Sequence, residues 1–322
     1  MNEVFKRTFS GFFSILVIGG LGYYIWKNKE AFHATFNASW YHIVGLTFFI
    51  LMTWLVNCLQ GHLLLRNLGI KIGFGENLVL QMATILANNL PMRIGTIIRM
   101  RYFNKLYGLA YSRFIGLTGV RVSLILFYSV VLSSIGLIGL NLSKYSWIWV
   151  ILGSLVALIL VVSGFGLITL IQRVEVKNQF IKKQISGFFA VFEMLKTRPI
   201  LFWQLSGLIL LHFVTLAFRF GISFDCIHVN FSPWSLFILA PMTTLVSFVS
   251  ITPGNLGLRE WMIGFFSLAS GIDFDSGIFA GTIDRATLMI CTFLFGSIPL
   301  VYIWIKSMRP NSSPLPGDGP IE

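Results

Sequence analysis

The chain has 322 residues, 56% of them hydrophobic and 11% charged, with a mean hydropathy of +0.80. That balance excludes a water-soluble globular domain, and apolar runs recurring to about residue 305 point to a polytopic, all-α membrane protein. The formal net charge of +12 does not call for nucleic acid, because Lys and Arg fall mainly between apolar runs, where they anchor and orient a membrane protein.

Lys6 and Arg7 precede an apolar run over residues 9–26. Its aromatic content and the lack of a small-x-small cleavage site favour a retained first helix over a signal peptide. A second span covers about 40–65 and is followed by Arg66 and Lys71; its His62 reads as a packed or interfacial residue. Residues 77–86 are apolar but too short to cross before Asn88, Asn89 and Pro91 interrupt them. The next leg, 94–107, carries Arg99, Arg101 and Lys105, which a full crossing would bury at high cost. A re-entrant hairpin accounts for both legs. Broken backbone at that depth must be surrounded by protein or water, so the break is expected to line a cavity.

Spans follow at 114–142 and 147–171. The connector over 172–199 holds Arg173, Lys177, Lys182, Lys183, Lys196 and Arg198, which marks it as cytoplasmic. Its apolar residues between 180 and 195 recur at helical spacing, as in an amphipathic helix on the inner leaflet. Another span covers 200–223, ahead of Asp225 and His228. A run over 234–250, containing Pro241, leads to a second break, and 258–269 forms the leg after it. The last span covers 278–305. Six spans and two broken hairpins thus make an integral membrane domain over 1–309, and the Pro-, Gly- and Ser-rich tail 310–322 is expected to be disordered. Cys58, Cys226 and Cys291 stand singly and read as packing residues, with no metal pattern.

The two breaks are related. Pro91-Met92-Arg93-Ile94-Gly95 and Pro253-Gly254-Asn255-Leu256-Gly257 share Pro-x-x-aliphatic-Gly. Gly108, Ser112, Thr118, Arg121 and Leu124 follow the first, and Gly271, Ser276, Thr282, Arg285 and Leu288 the second. We read two repeats, around 76–142 and 234–305. Placing both termini in the cytoplasm puts the basic connector and the basic leg inside as well. The first hairpin then lies on the cytoplasmic side and the second on the outer side, so the repeats are inverted.

Arg121, Arg219, Asp284 and Arg285 sit in apolar spans, where ionisable groups face a protein interior. Arg259 and Glu260 directly follow the second break. A cationic cavity built from Arg93, Arg99, Arg121, Arg259 and Arg285 would suit a phosphate or another anionic headgroup, because guanidinium can hold two oxygens in one plane. Helix ends at Pro91 and Pro253 could direct backbone amides at the same charge. Asn88, Gly95, Asn255 and Gly257 complete the candidate substrate-binding set, with Glu260 and Asp284. The competing reading has Arg219, Glu260 and Asp284 merely pairing to hold the broken helices together. The sequence shows no H-E-x-x-H, G-x-S-x-G or Walker loop, so neither an enzyme nor a cofactor is expected.

With these residues assembled, the chain resembles integral membrane proteins related to the transmembrane flippase region of lysylphosphatidylglycerol synthase. The resemblance is carried by Leu90-Pro91-Met92-Arg93-Ile94-Gly95 with Arg99, and more distinctively by Thr252-Pro253-Gly254-Asn255-Leu256-Gly257-Leu258-Arg259-Glu260. Departures are Met92 for a small residue, Thr96 for an acidic one, Val120 for a glutamate before Arg121, and Asn255 within a glycine-rich turn. The resemblance implies a stand-alone flippase-like protein of a bacterial or archaeal cell membrane. It would move an anionic phospholipid or a lipid-linked, polyprenyl-phosphate type of molecule between leaflets, without the synthase's soluble lysyl-transfer domain. The alternative it leaves open is a membrane-embedded transferase, or an accessory protein acting on lipid-linked substrates.

Overall fold

A computed structural model describes residues 39–89, 94–140, 179–248 and 258–308. Among these residues the chain forms nine helices and no strand. They are α1 (Trp40–Asn67), α2 (Phe74–Ala87), α3 (Ile94–Tyr107), α4 (Tyr111–Gly139), α5 (Gln179–Thr197), α6 (Pro199–Asp225), α7 (Pro233–Phe248), α8 (Leu258–Ala269) and α9 (Phe274–Met308). Helices α1, α4, α6 and α9 are long and apolar enough to cross a bilayer, and they coincide with four of the six expected spans. The other two, at 9–26 and 147–171, lie outside the described residues, as do both breaks and the tail.

The surface is inverted relative to that of a water-soluble protein. Ile298 is 78% and Trp203 70% exposed, whereas Arg219 and Asp284 are 3% and 1% exposed. That distribution suits hydrocarbon as the surrounding solvent. Several hydroxyls inside the spans are satisfied locally: Thr53, Thr118, Thr282 and Thr292 each donate to a carbonyl one turn back.

Helices α2 and α7, of 14 and 16 residues, are too short to cross, and each is followed beyond its break by a second short helix. The first hairpin is fastened at its tip. Asn88 ends α2, and its side-chain oxygen accepts from the Thr96 backbone N–H at 3.0 Å, satisfying one of the donors that a helix start leaves open. Gly95 makes that approach possible, since a Cβ there would collide with the Thr84 carbonyl. After the second leg of each hairpin comes a left-handed glycine, Gly108 at φ 64° and Gly271 at φ 80°. Each is followed by a buried apolar residue, Leu109 or Ile272. The match seen in the sequence is therefore also a match in backbone shape.

Helices α1 and α6 run antiparallel along their whole length. His42 meets Asp225, Phe49 stacks on Phe218, Thr53 bonds Thr215, Gln60 donates to the Leu208 carbonyl, and Arg198 donates to Asn67. Thr53 and Thr215 are 162 residues apart, the same step that carries Pro91 onto Pro253 and Gly95 onto Gly257. A residue bonded to its own repeat equivalent is what a two-fold relation produces at its axis.

The remaining packing keeps the exchange: α2 lies on α9 as α7 lies on α4. Each half's spanning helix thus covers the other half's first hairpin leg. Small residues allow both approaches. A Cβ at Gly296 would come to 3.0 Å from Leu86, and one at Gly136 to 2.9 Å from the Trp234 carbonyl. The related units are therefore α1–α4 and α6–α9, each one span longer than the sequence match indicated.

One feature breaks the relation. Helix α8 packs extensively along α9, whereas α3 barely touches α4. At the connector helix α5, which leads into the second unit, an expectation is corrected. Phe189, Val191, Phe192 and Leu195 are buried in one core with Phe114, Leu117, Val120, Leu205 and Ile209. The described apolar side chains of α5, from Phe189 to Leu195, are thus covered by α4 and α6 rather than laid on the leaflet. Periodicity could identify an apolar face but not what lies against it.

Candidate functional site

The buried charges fall into two groups, one in each half. In the second half Arg219 of α6 grips Asp284 of α9 in the two-pronged manner of guanidinium on carboxylate, Nε to Oδ1 at 2.8 Å and Nη2 to Oδ2 at 2.9 Å. Arg259 of α8 donates to the same carboxylate at 2.7 Å. Glu260 and Arg285 are buried beside them and engaged as well. Asp284 therefore ties three helices together at one point. For Arg219, Arg259 and Asp284 the pairing reading is the one observed.

The first half is built differently. Arg99 of α3 donates to the side-chain oxygens of Gln81 and, at 3.1 Å, Asn77. Both amides stand one turn apart on α2. Asn77 is turned the right way because its own NH2 donates to the Cys58 carbonyl at 3.1 Å. The guanidinium lies against Gly61 of α1, where a Cβ would stand 2.9 Å from Nη2, and over the Phe103 ring, 5.7 Å from its centroid. Arg121 of α4 donates to the Asn57 side-chain oxygen. Asn57 and Gly61 stand one turn apart on α1, so the two guanidinium groups lie against neighbouring positions of the same helix face. Among the described residues neither has a carboxylate partner, and the Nε of each is buried with no acceptor.

His212 of α6 is buried two turns from Arg219, on the face that also carries Thr215. Its Nδ1 is buried without a partner, and so is Gln60 Oε1 on the facing helix. The interior of the α1/α6 pair is thus a polar seam through an apolar molecule. Outside the same pair runs a groove of about 460 Å³, lined by Leu59, His62, Arg66, Trp203, Gly207 and Leu208. The Leu208 carbonyl that accepts from Gln60 belongs to this wall.

Of the candidate residues from sequence, Arg99 and Arg121 are brought together in the first half, and Arg259, Glu260, Asp284 and Arg285 are buried in the second. Asn88 and Gly95 fasten the first hairpin. Pro91, Arg93, Pro253, Asn255 and Gly257 lie outside the described residues. Of the arginines expected to line a cationic cavity, Arg259 is engaged by Asp284, whereas Arg99 and Arg121 are held by amide oxygens. Sequence reasoning missed Asn57, Asn77, Gln81 and His212. Their signal was present as uncharged polar residues inside apolar helices, with Asn77 and Gln81 spaced to share a face.

A family model described as the lysylphosphatidylglycerol synthase TM region matches residues 11–296. No curated protein matches the chain.

Proposed function

Since the chain belongs to the family of the lysylphosphatidylglycerol synthase transmembrane region, we propose that it is a lipid transporter of the flippase kind. It carries an anionic phospholipid or a lipid-linked phosphate between leaflets, in a bacterial or archaeal cell membrane with both termini cytoplasmic. The observation that carries this reading is the Arg99–Arg121 pair. Two guanidinium groups held by amide oxygens, with buried Nε groups still lacking acceptors, are costly in a membrane interior unless an anion visits them.

Three further features support it. Halves of opposite direction supply two related states that can open to opposite sides. The loose contact between α3 and α4 leaves the two arginines on elements able to separate. The groove beside α1 and α6 gives acyl chains a lateral path while a headgroup enters the polar seam. We read the protein as a carrier and not an enzyme, since Asp284, the most buried acid among the described residues, is already held by two arginines.

The test is a leaflet-exchange assay on purified protein in liposomes containing a labelled phosphatidylglycerol. Exchange is expected to fall at least about tenfold in Arg99→Ala and Arg121→Ala, the effect of losing one charge-assisted contact of a few kcal/mol. Equal rates for parent and variants would sink the assignment. Lipid mass spectrometry addresses the transferase alternative: a carrier changes the leaflet of a lipid and leaves its amount unchanged.

A further inference from the structure

The repeat relation lets the two charged groups be compared position by position. The 162-residue step that joins Thr53 to Thr215 also carries Asn57 onto Arg219 and Ile97 onto Arg259. In the following span Arg121 corresponds to Arg285, so Val120 corresponds to Asp284. All three members of the Arg219–Asp284–Arg259 network thus have uncharged counterparts in the first half, while the arginine next to the acid is retained. The first half then adds Arg99, where the second has Trp261, which is largely exposed. Glu76 is the one acidic residue between 40 and 139, and it accepts a hydrogen bond from the Tyr102 hydroxyl. The second half holds Asp225, Glu260, Asp273, Asp275 and Asp284.

Resting on the reading of Arg99 and Arg121 as the headgroup site, we infer that the site selects lipids whose headgroup bears a phosphate and no amine. An ammonium group brought there would meet two guanidinium charges and, among the described residues, no carboxylate paired with either. Like charges in a low-dielectric interior repel strongly, and an ammonium without an acceptor of opposite charge carries its full desolvation cost. A phosphate meets the reverse situation, gaining two charged donors and supplying the acceptors that the two Nε groups lack. The amide ligands Asn57, Asn77 and Gln81 orient the guanidinium groups without neutralising them. Carboxylates in place of Asn57 and Gln81 would accept the same hydrogen bonds from the two arginines and cancel the charge.

That last point provides the test. Full-length protein is reconstituted in nanodiscs containing equal amounts of phosphatidylglycerol, phosphatidylethanolamine and lysyl-phosphatidylglycerol with identical acyl chains, and retained lipid is read by native mass spectrometry. The parent should retain phosphatidylglycerol over either amine-bearing lipid by about tenfold or more, the selectivity of one well-placed charge contact. Asn57→Asp, isosteric and already bonded to Arg121, should bring that preference close to parity. Gln81→Glu makes the same change beside Arg99 and serves if Asn57→Asp does not fold. Equal retention by the parent, or an unaltered preference in a folded acidic variant, overturns the inference.

Added inorganic phosphate should leave lipid retention unchanged. Displacement at millimolar phosphate would assign the site to a soluble anion and overturn the lipid selectivity. A protein that retains phosphatidylglycerol selectively but fails to exchange it between leaflets overturns only the transport reading. One that exchanges all three lipids at the same rate overturns only the selectivity.

Discussion

The two halves share helix order, hairpins and left-handed glycines, yet they use buried charge in opposite ways. In the second half two arginines close on one acid: Arg219 and Arg259 converge on Asp284, and α8 is packed along α9. The first half keeps two arginines on amide oxygens and holds α3 away from α4. One fold element can therefore serve as a clamp or, on the proposed reading, as a receptor, depending on whether its arginines face carboxylate or amide. The clamp ties three helices at one acid. The proposed receptor leaves two buried Nε groups without acceptors.

Removing the acid from the clamp should give the largest effect. Asp284→Ala leaves Arg219 and Arg259 buried without their counter-ion, a loss of about 3–5 kcal/mol by analogy with other buried pairs. Thermal unfolding in detergent should show most of the protein lost or melting far below the parent. A melting point near the parent's would mean that the Asp284 network does not hold the second half together.

The opposite sign is expected on the receptor side. Arg121→Gln removes an uncompensated buried charge while keeping a donor for Asn57, so stability should be unchanged or higher, and lipid exchange should fall at least about tenfold. This pair of readouts separates the two uses of arginine directly. Were Arg121→Gln to destabilise the fold as severely as Asp284→Ala, the first half would also be a clamp.

A gentler change sharpens the same contrast. Gly61→Ala places a methyl 2.9 Å from the Arg99 guanidinium and must displace it from Asn77 and Gln81. Exchange should fall several-fold, with less than about 1.5 kcal/mol change in stability, since the neighbour to be moved is a flexible side-chain end. At the start of α2, Gly75→Ala meets nothing within 4 Å and should be silent in both assays. Equal effects from the two alanines would show that the guanidinium position does not matter.

Much of the frame was legible in the sequence, because a bilayer permits few backbone solutions. Run length gave α1, α4, α6 and α9; a proline-glycine break after a run too short to cross gave α2, α3, α7 and α8. The inverted relation could be read from charge placement and from the matching Arg121 and Arg285. The division of labour between the halves was not legible. It depends on which oxygen each arginine reaches, and Asn57 and Asp284 lie 64 and 65 residues from the arginines Arg121 and Arg219 that they hold. The cover over α5 was hidden for a related reason, since an apolar helix face reads alike whether lipid or protein completes it. Even the extent of the repeat escaped sequence matching, because α1 and α6 share a direction-reversed contact line and almost no residues.

The smallest effect is the one that probes what the halves have in common. Gly108 and Gly271 both adopt a left-handed conformation at the turn before the spanning helix, and neither would bring a Cβ within 4 Å of another atom. Replacing either by alanine therefore costs only the backbone strain of an L-residue at positive φ, about 1–2 kcal/mol. Equal losses are expected, because each turn is pinned by the same kind of buried residue, Leu109 or Ile272. Exchange rates measured below the melting point should stay close to the parent's in both. If Gly108→Ala alone slowed exchange, the turn beside the loosely packed α3 would be moving during transport. The first half would then differ from the second in its motion as well as in its charge.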